Sequence, residues 1–252
     1  MAKRIIVDRT EHALRRAAAN LDIRRQFHEL NTLDVPQLEE EFWGDAVDAR
    51  WQTGLTNGTS AAALAIVAAR NGTATLITGT DDNGYASASH SLSWGGDLNA
   101  VVAVRLKLSA VTTVKCEVGF TDSHSDAGAV NVLATPTYTA TDCALWVVDT
   151  DDTANWQLIG VKDGTGATKI EPGNPPVADT FETLIVALVD DSALFYHLNA
   201  SGDIDRPVER MAAAVTKTVD LTPWIFVQAR AGTASRTATI DYVYAWQRRT
   251  TA

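Results

Sequence analysis

The sequence predicts an all-β protein, an antiparallel jelly-roll β-sandwich carried behind a short N-terminal α-helical arm. Three observations lead there. From Phe42 onward, apolar and polar residues alternate with a period of two in about a dozen stretches. Asn-Gly, Asp-Gly and Gly-Gly pairs separate those stretches and supply the positive φ of tight hairpin turns. Between Thr10 and Leu30, by contrast, there is no Gly or Pro, and apolar residues recur at helical spacing.

The arm comes first. Asp8 is placed to cap a helix, with Glu11 three residues on as its capping-box partner. Leu14, Ala18 and Leu21 form one apolar stripe; Ile23, Phe27 and Leu30 form a second. The stripes are out of phase, which predicts either a bend near Asn20–Asp22 or two separate partners. Pro36 ends the helical pattern, and the division drawn is residues 1–40 for the arm and 41–252 for the sandwich.

The body reads as strands throughout. In "ASASHSLSW" Ala86, Ala88, His90, Leu92 and Trp94 share one face and four serines the other. In "AVVAVRLKLS" Val102, Val104, Leu106 and Leu108 oppose Arg105 and Lys107. Further strands are predicted at 47–55, 62–70, 73–79, 112–120, 143–150, 155–162, 181–190, 193–199, 223–231 and 237–247. Residues 121–142 and 171–180 read as crossovers between sheets, and "VERMAAAVTK" at 208–217 as a short helical turn. The last strand, "ATIDYVYAWQRR", puts Ile240, Tyr242, Tyr244 and Trp246 on alternate positions. Simple alternation turns these rings into the gap between sheets, opposite Trp146, Trp224 and Phe226. A closed barrel is the alternative, but the strand spacing is irregular.

Charge narrows the partners. Residues 1–35 hold seven basic and five acidic side chains, net +2, whereas the remainder carries −12 of the total −10. Such a body repels nucleic acid and anionic membranes. No apolar run approaches the ~18 residues of a membrane span. The opening "MAKRIIVDRTEHALRR" has no signal-peptide apolar region, which predicts synthesis in the cytoplasm without secretion. Cys116 and Cys143 are the two cysteines, both in apolar strand patterns, and buried free thiols are the default expectation.

Three stretches carry a resemblance. "NWQLIGVKDGTGATKIE", "FETLIVALVDDSALFYHLNASGDI" and "PWIFVQARAGTASRTATIDYVYAWQRR" resemble strand pairs of the concanavalin A-like lectin/glucanase jelly rolls. That resemblance implies a concave sheet suited to sugars. The layout as a whole, a charged helical arm before a Thr/Ala/Gly-rich jelly roll, is similar to virion structural proteins of tailed phages. This second resemblance implies a capsid decoration, head-fibre or minor tail protein.

Enzyme chemistry finds little support in the residues. Glucanases of this fold carry a Glu-x-Asp-x-x-Glu pattern on one strand, which is missing here; Glu117 followed by Asp122 and Asp126 is the nearest set. "DTDDTANW" clusters Asp149, Asp151 and Asp152, but Ala154 and Gly160 stand where a helical-hand calcium loop needs Gly and Glu. A looser cation site at Asp81-Asp82-Asn83 is the other possibility of this kind. The five histidines show no zinc spacing. No nucleophile elbow, phosphate loop or dinucleotide fingerprint occurs. No catalytic residue, metal or cofactor is therefore expected.

The leading expectation is a non-enzymatic virion protein whose partner is a capsid or tail protein, with homo-oligomerisation. Leu14, Leu21 and Phe27 would supply burial at the partner, and Arg15, Arg16, Arg24 and Arg25 would pair with acidic groups. The alternative is a carbohydrate-binding module that meets a surface glycan through Trp94 and Trp156, with Trp43 and Trp51 as further unassigned rings. A glycoside hydrolase stands third.

Overall fold

A computed structural model describes residues 37–55, 64–67, 72–123, 128–205 and 208–248. The expected helical arm, with Leu14, Arg15, Arg16, Leu21, Arg24, Arg25 and Phe27, lies outside these residues. So does Asp126.

The described chain forms two large antiparallel sheets packed face to face. One holds β1 (Gln37–Glu40), β3 (Ala65–Val67), β4 (Thr73–Ile77), β6 (Val101–Leu108), β13 (Glu182–Val189), β14 (Ser192–Leu198), β15 (Glu209–Met211) and β17 (Thr237–Trp246). Its order is β15-β14-β13-β6-β17-β4-β3, with β1 continuing beside β17 on the β4 side. The other holds β2 (Gln52–Leu55), β5 (Tyr85–Ser89), β7 (Val114–Thr121), β10 (Cys143–Asp149), β11 (Thr153–Lys162), β12 (Thr165–Gly166) and β16 (Thr222–Ala229), ordered β12-β11-β10-β7-β16-β5-β2. A small pair, β8 (Val130–Val132) with β9 (Thr137–Tyr138), stands apart. The chain passes repeatedly from one sheet to the other, so neighbours in space are often far apart in sequence. This is the jelly-roll sandwich that the alternation predicts.

The core follows the period-two pattern in most strands. Val102, Val104, Leu106 and Leu108 of β6 face Cys116, Val118 and Phe120 of β7 across the gap, all inside one buried cluster. Leu184, Val186 and Leu188 join from β13, and Ala144, Trp146 and Val148 from β10. Trp146 sits edge-on to both Trp156 (6.4 Å) and Phe195 (5.9 Å). Such pairs add about 0.5–1.5 kcal/mol each beyond area burial.

The closing strand departs from simple alternation. Ile240 pairs with Leu106, but Tyr242, not Asp241, pairs with Arg105. Asp241 is the extra residue of a β-bulge, and its carboxylate takes the Arg105 guanidinium at 2.5 Å. The bulge moves the pattern by one place. Ala238 and Ile240 face the core before it; Val243 and Ala245 do so after it. Tyr242, Tyr244 and Trp246 therefore lie on the outer face, where the two tyrosines stack at 4.7 Å. The expectation that these rings fill the inter-sheet gap is corrected for all but Ile240. Trp224 and Phe226 also leave the gap: they stack on the outer side of the seven-stranded sheet, whereas Trp146 does face inward.

Smaller corrections concern the connections. Glu209–Met211 is an edge strand, not a helical turn, because it pairs with Ala193–Phe195. Residues 128–140 do not simply cross over but contain the β8–β9 pair. Gln37–Glu40 already belongs to the sheet, so the β body begins before the boundary drawn at residue 40. Cys116 and Cys143 are buried free thiols on opposite faces of the seven-stranded sheet.

Candidate functional site

Strand β7 crosses the middle of the seven-stranded sheet. Cys116, Val118 and Phe120 point into the core, so Lys115 and Glu117 must point to the outer face. The lectin/glucanase resemblance implies an open sheet face of this kind. Here it is filled. Ala129, Val130, Leu133 and Ala140 of the 128–140 excursion pack with Leu145, Val147, Ile159, Val161, Trp224 and Phe226 into a second buried cluster.

Glu117 anchors that excursion. Its side chain and that of Lys115 are fully buried, 2.9 Å apart. Glu117 Oε2 accepts from the Ala129 N–H (2.8 Å) and the Trp224 indole N–H (2.9 Å), and Oε1 accepts from the Val130 N–H (3.1 Å). Lys115 Nζ donates in turn to the Val130 carbonyl and lies 5.3 Å from the Phe226 ring centroid. The carboxylate is thus shared among two backbone amides, an indole and an ammonium. Gly128 is required beside it: its φ is +83° and a Cβ would stand 2.6 Å from Glu117 Oε1.

Asp122 has a different job. It accepts from the Thr141 amide (3.1 Å) and hydroxyl, closing the base of the same excursion. The nearest approximation to a glucanase carboxylate set is therefore divided between a buried anchor and a loop tie.

The two indoles expected to meet a glycan are in the core. Trp94 is 4% exposed and Trp156 0%. Trp94 packs against Phe120 at 6.5 Å. Trp156 donates its N–H to both oxygens of Glu182 (3.1 and 3.2 Å). Neither ring has a face to offer a sugar: Trp156 turns inward from β11, and Trp94 is held in the core by an isolated bridge to Leu221. Trp51 is buried as well, donating to Glu40 Oε2 at 3.1 Å. Trp43 is the exception, 63% exposed beside the buried Phe42.

One buried polar pair lies outside every chemical motif singled out in the sequence, with His197 an ordinary hydrogen-bonded strand residue. Glu182 and His197 face each other inside the sandwich, with His197 Nε2 2.6 Å from Glu182 Oε2. Asp205 Oδ2 lies 3.3 Å from His197 Nδ1 and accepts from Asn174 at 2.6 Å. The signal was present: Glu182 precedes Leu184 by two, and His197 follows Phe195 by two, so both have core parity. The cluster ties the 171–180 connection and the turn after β14 to the sandwich.

The aspartates of "DTDDTANW" are neutralised by protein cations. Arg230 Nε donates to Asp149 at 2.8 Å, and Lys169 Nζ to Asp152 at 2.6 Å. Among the described residues no group of three or more His, Cys, Asp or Glu could hold a metal ion.

No family model matches this chain, and no curated protein matches it. Solved structures do. A protein of unknown function from Shewanella oneidensis MR-1 superposes with a TM-score of 0.62 at 14% identity, covering 92% of this chain and 97% of its own. The Bacillus licheniformis β-glucanase gives 0.57 at 12%, covering 84% and 98%. The CBM2 module of the evolved Dit of Lactobacillus casei BL23 phage J-1 gives 0.51 at 11%, covering 84% and 96%. A carbohydrate recognition domain, that of Emp47p, and a peanut lectin belong to the same group of neighbours. At these identities the likeness establishes the fold, a concanavalin-like jelly-roll sandwich.

Proposed function

We propose that this chain is a non-enzymatic structural protein of a tailed-phage virion, a capsid decoration or minor head or tail protein. The leading segment grips a capsid or tail protein, the acidic sandwich is displayed, and the protein acts as a homo-oligomer. The observation that carries this reading is the filled outer face of the seven-stranded sheet. A hydrolase needs two carboxylates facing one sugar ring across open space. Glu117 instead sits under the 128–140 excursion, held by Ala129, Val130, Trp224 and Lys115. The face is finished as packing, which suits a display body better than a catalytic trough. The contrast between residues 1–35, net +2, and the remainder of the chain, net −12, supports a division between anchoring and display.

The test is imaging and protein analysis of purified particles, with and without this gene, and with residues 1–35 removed. Presence in wild-type particles and absence of the truncated protein from them support the reading. Incorporation of the truncated protein at wild-type level overturns the anchor, with Leu14, Leu21, Phe27, Arg15, Arg16, Arg24 and Arg25 as its contacts.

A second reading, carbohydrate binding, is favoured by one observation: Trp43 is 63% exposed. Exposed aromatic rings stack on sugar faces, and the lectin and CBM2 neighbours fit that use. A glycan array with the wild type and Trp43→Ala separates the readings. Binding that the substitution abolishes would place sugar recognition first.

A further inference from the structure

The outer face of the eight-stranded sheet is apolar where a two-layer sandwich ordinarily meets water. Val101 and Ala103 of β6, Ile185 and Ala187 of β13, Tyr196 of β14 and Trp246 of β17 form one buried cluster on it. The partly buried residues packed against that cluster are Leu194 and Ile204, and among the described residues no strand or helix forms a layer over it. The Asp241 bulge is what delivers Trp246 to this side.

We propose that residues 23–30 of this same chain dock across that face, through Ile23, Phe27 and Leu30. Continuity is the first argument. Gln37 pairs with Trp246, so the leading segment joins the sheet at the edge of the cluster. Reach is the second: the seven residues from Leu30 to Gln37 span at most about 23 Å extended. The face is four strands wide, β17 to β14, or about 14 Å at ordinary strand spacing. Shape is the third, since eight helical residues are about 12 Å long, which matches that width. Pattern is the fourth. The Ile23–Phe27–Leu30 stripe is out of phase with Leu14, Ala18 and Leu21, so one helical face serves the sheet and leaves the other stripe for a separate partner. Phe27 then belongs to the body-facing set rather than the particle-facing one.

The experiment uses the full chain carrying Phe27→Cys with Ala187→Cys, oxidised mildly at low protein concentration. Cys116 and Cys143 do not interfere, because burial pushes both thiols well up. A disulfide within one chain should form roughly tenfold faster than in the Leu14→Cys, Ala187→Cys control, the mark of a locally raised effective concentration. Equal rates overturn the proposal. A bond found solely between two chains also overturns it, and assigns the face to the arm of a second copy. If Ala187→Cys prevents folding, Ala103→Cys on the neighbouring strand reads the same contact. The readout needs no particle, so its failure is distinct from failure of the virion reading.

Discussion

The two outer faces of the sandwich are completed by opposite means. On the seven-stranded sheet a local excursion, 128–140, folds back and is riveted by a buried Lys115–Glu117 pair with backbone amides and an indole. On the eight-stranded sheet the outer face is itself built of aliphatics and large aromatics, and the decisive device is a single extra residue, Asp241. The first face depends on polar satisfaction, which is costly to break by one substitution. The second depends on register, which is costly to break by one deletion.

Deletions in β17 test this contrast most severely. Removing Val243 should either turn Tyr244 and Trp246 into the core or, where the bulge closes up, force the Tyr242 ring into the place of a core valine opposite Val104, leaving no folded protein by far-UV and near-UV circular dichroism. Removing Asp241 merely regularises the strand and keeps Tyr242, Tyr244 and Trp246 outside. That variant should fold, losing the Arg105 ion pair and about 1 kcal/mol. Equal behaviour of the two deletions would refute the role given to the bulge.

On the other face, Glu117→Ala should cost about 3–5 kcal/mol, because it strands a buried ammonium and several donors. At this chain length that is about 10 °C in Tm. Lys115→Met combined with Glu117→Gln should recover more than half of the loss in the same melt. A Glu117→Ala melt within 2 °C of wild type, or roughly 1 kcal/mol, would remove the rivet from the account.

Gly128→Ala probes the same rivet more gently. The added methyl meets the Glu117 carboxylate and strains a positive φ, so about 1–3 kcal/mol should be lost in chemical denaturation.

The smallest effect belongs to an exposed surface pair that serves as a control. The side-chain hydrogen bond from Arg50 holds the Asp48 carboxyl at about 2, below its ordinary 3.8. A depressed carboxyl supports the fold above its unfolded value and loses that support as pH falls through about 2. Arg50→Ala should therefore raise the Asp48 midpoint toward 3.8 in an NMR titration, with no change in Tm at neutral pH. An exposed pair of this kind contributes little, in contrast to the buried pair under the excursion.

Much of this was legible in the chain before any coordinates. The strands, their turns and the inward residues of β6, β10 and β13 follow from alternation alone. The core parity of Glu182 and His197 is equally legible, each two residues from a core position, Leu184 and Phe195. The exposure of Trp43 against the burial of Trp94 and Trp156 was not, because all three are aromatic residues at strand-compatible spacing.

By itself, the sequence determined that the protein is a two-sheet sandwich, since a period of two forces one face of each strand inward. It also determined that the glucanase carboxylate pattern is missing. Tertiary structure alone decided which way the last strand's rings point and what became of Glu117. The bulge appears only when β17 is paired residue by residue with β6. Glu117 becomes a buried anchor only when residues more than ten positions away fold over it. Local periodicity cannot encode either fact, because both depend on which distant backbone groups end up within hydrogen-bonding distance.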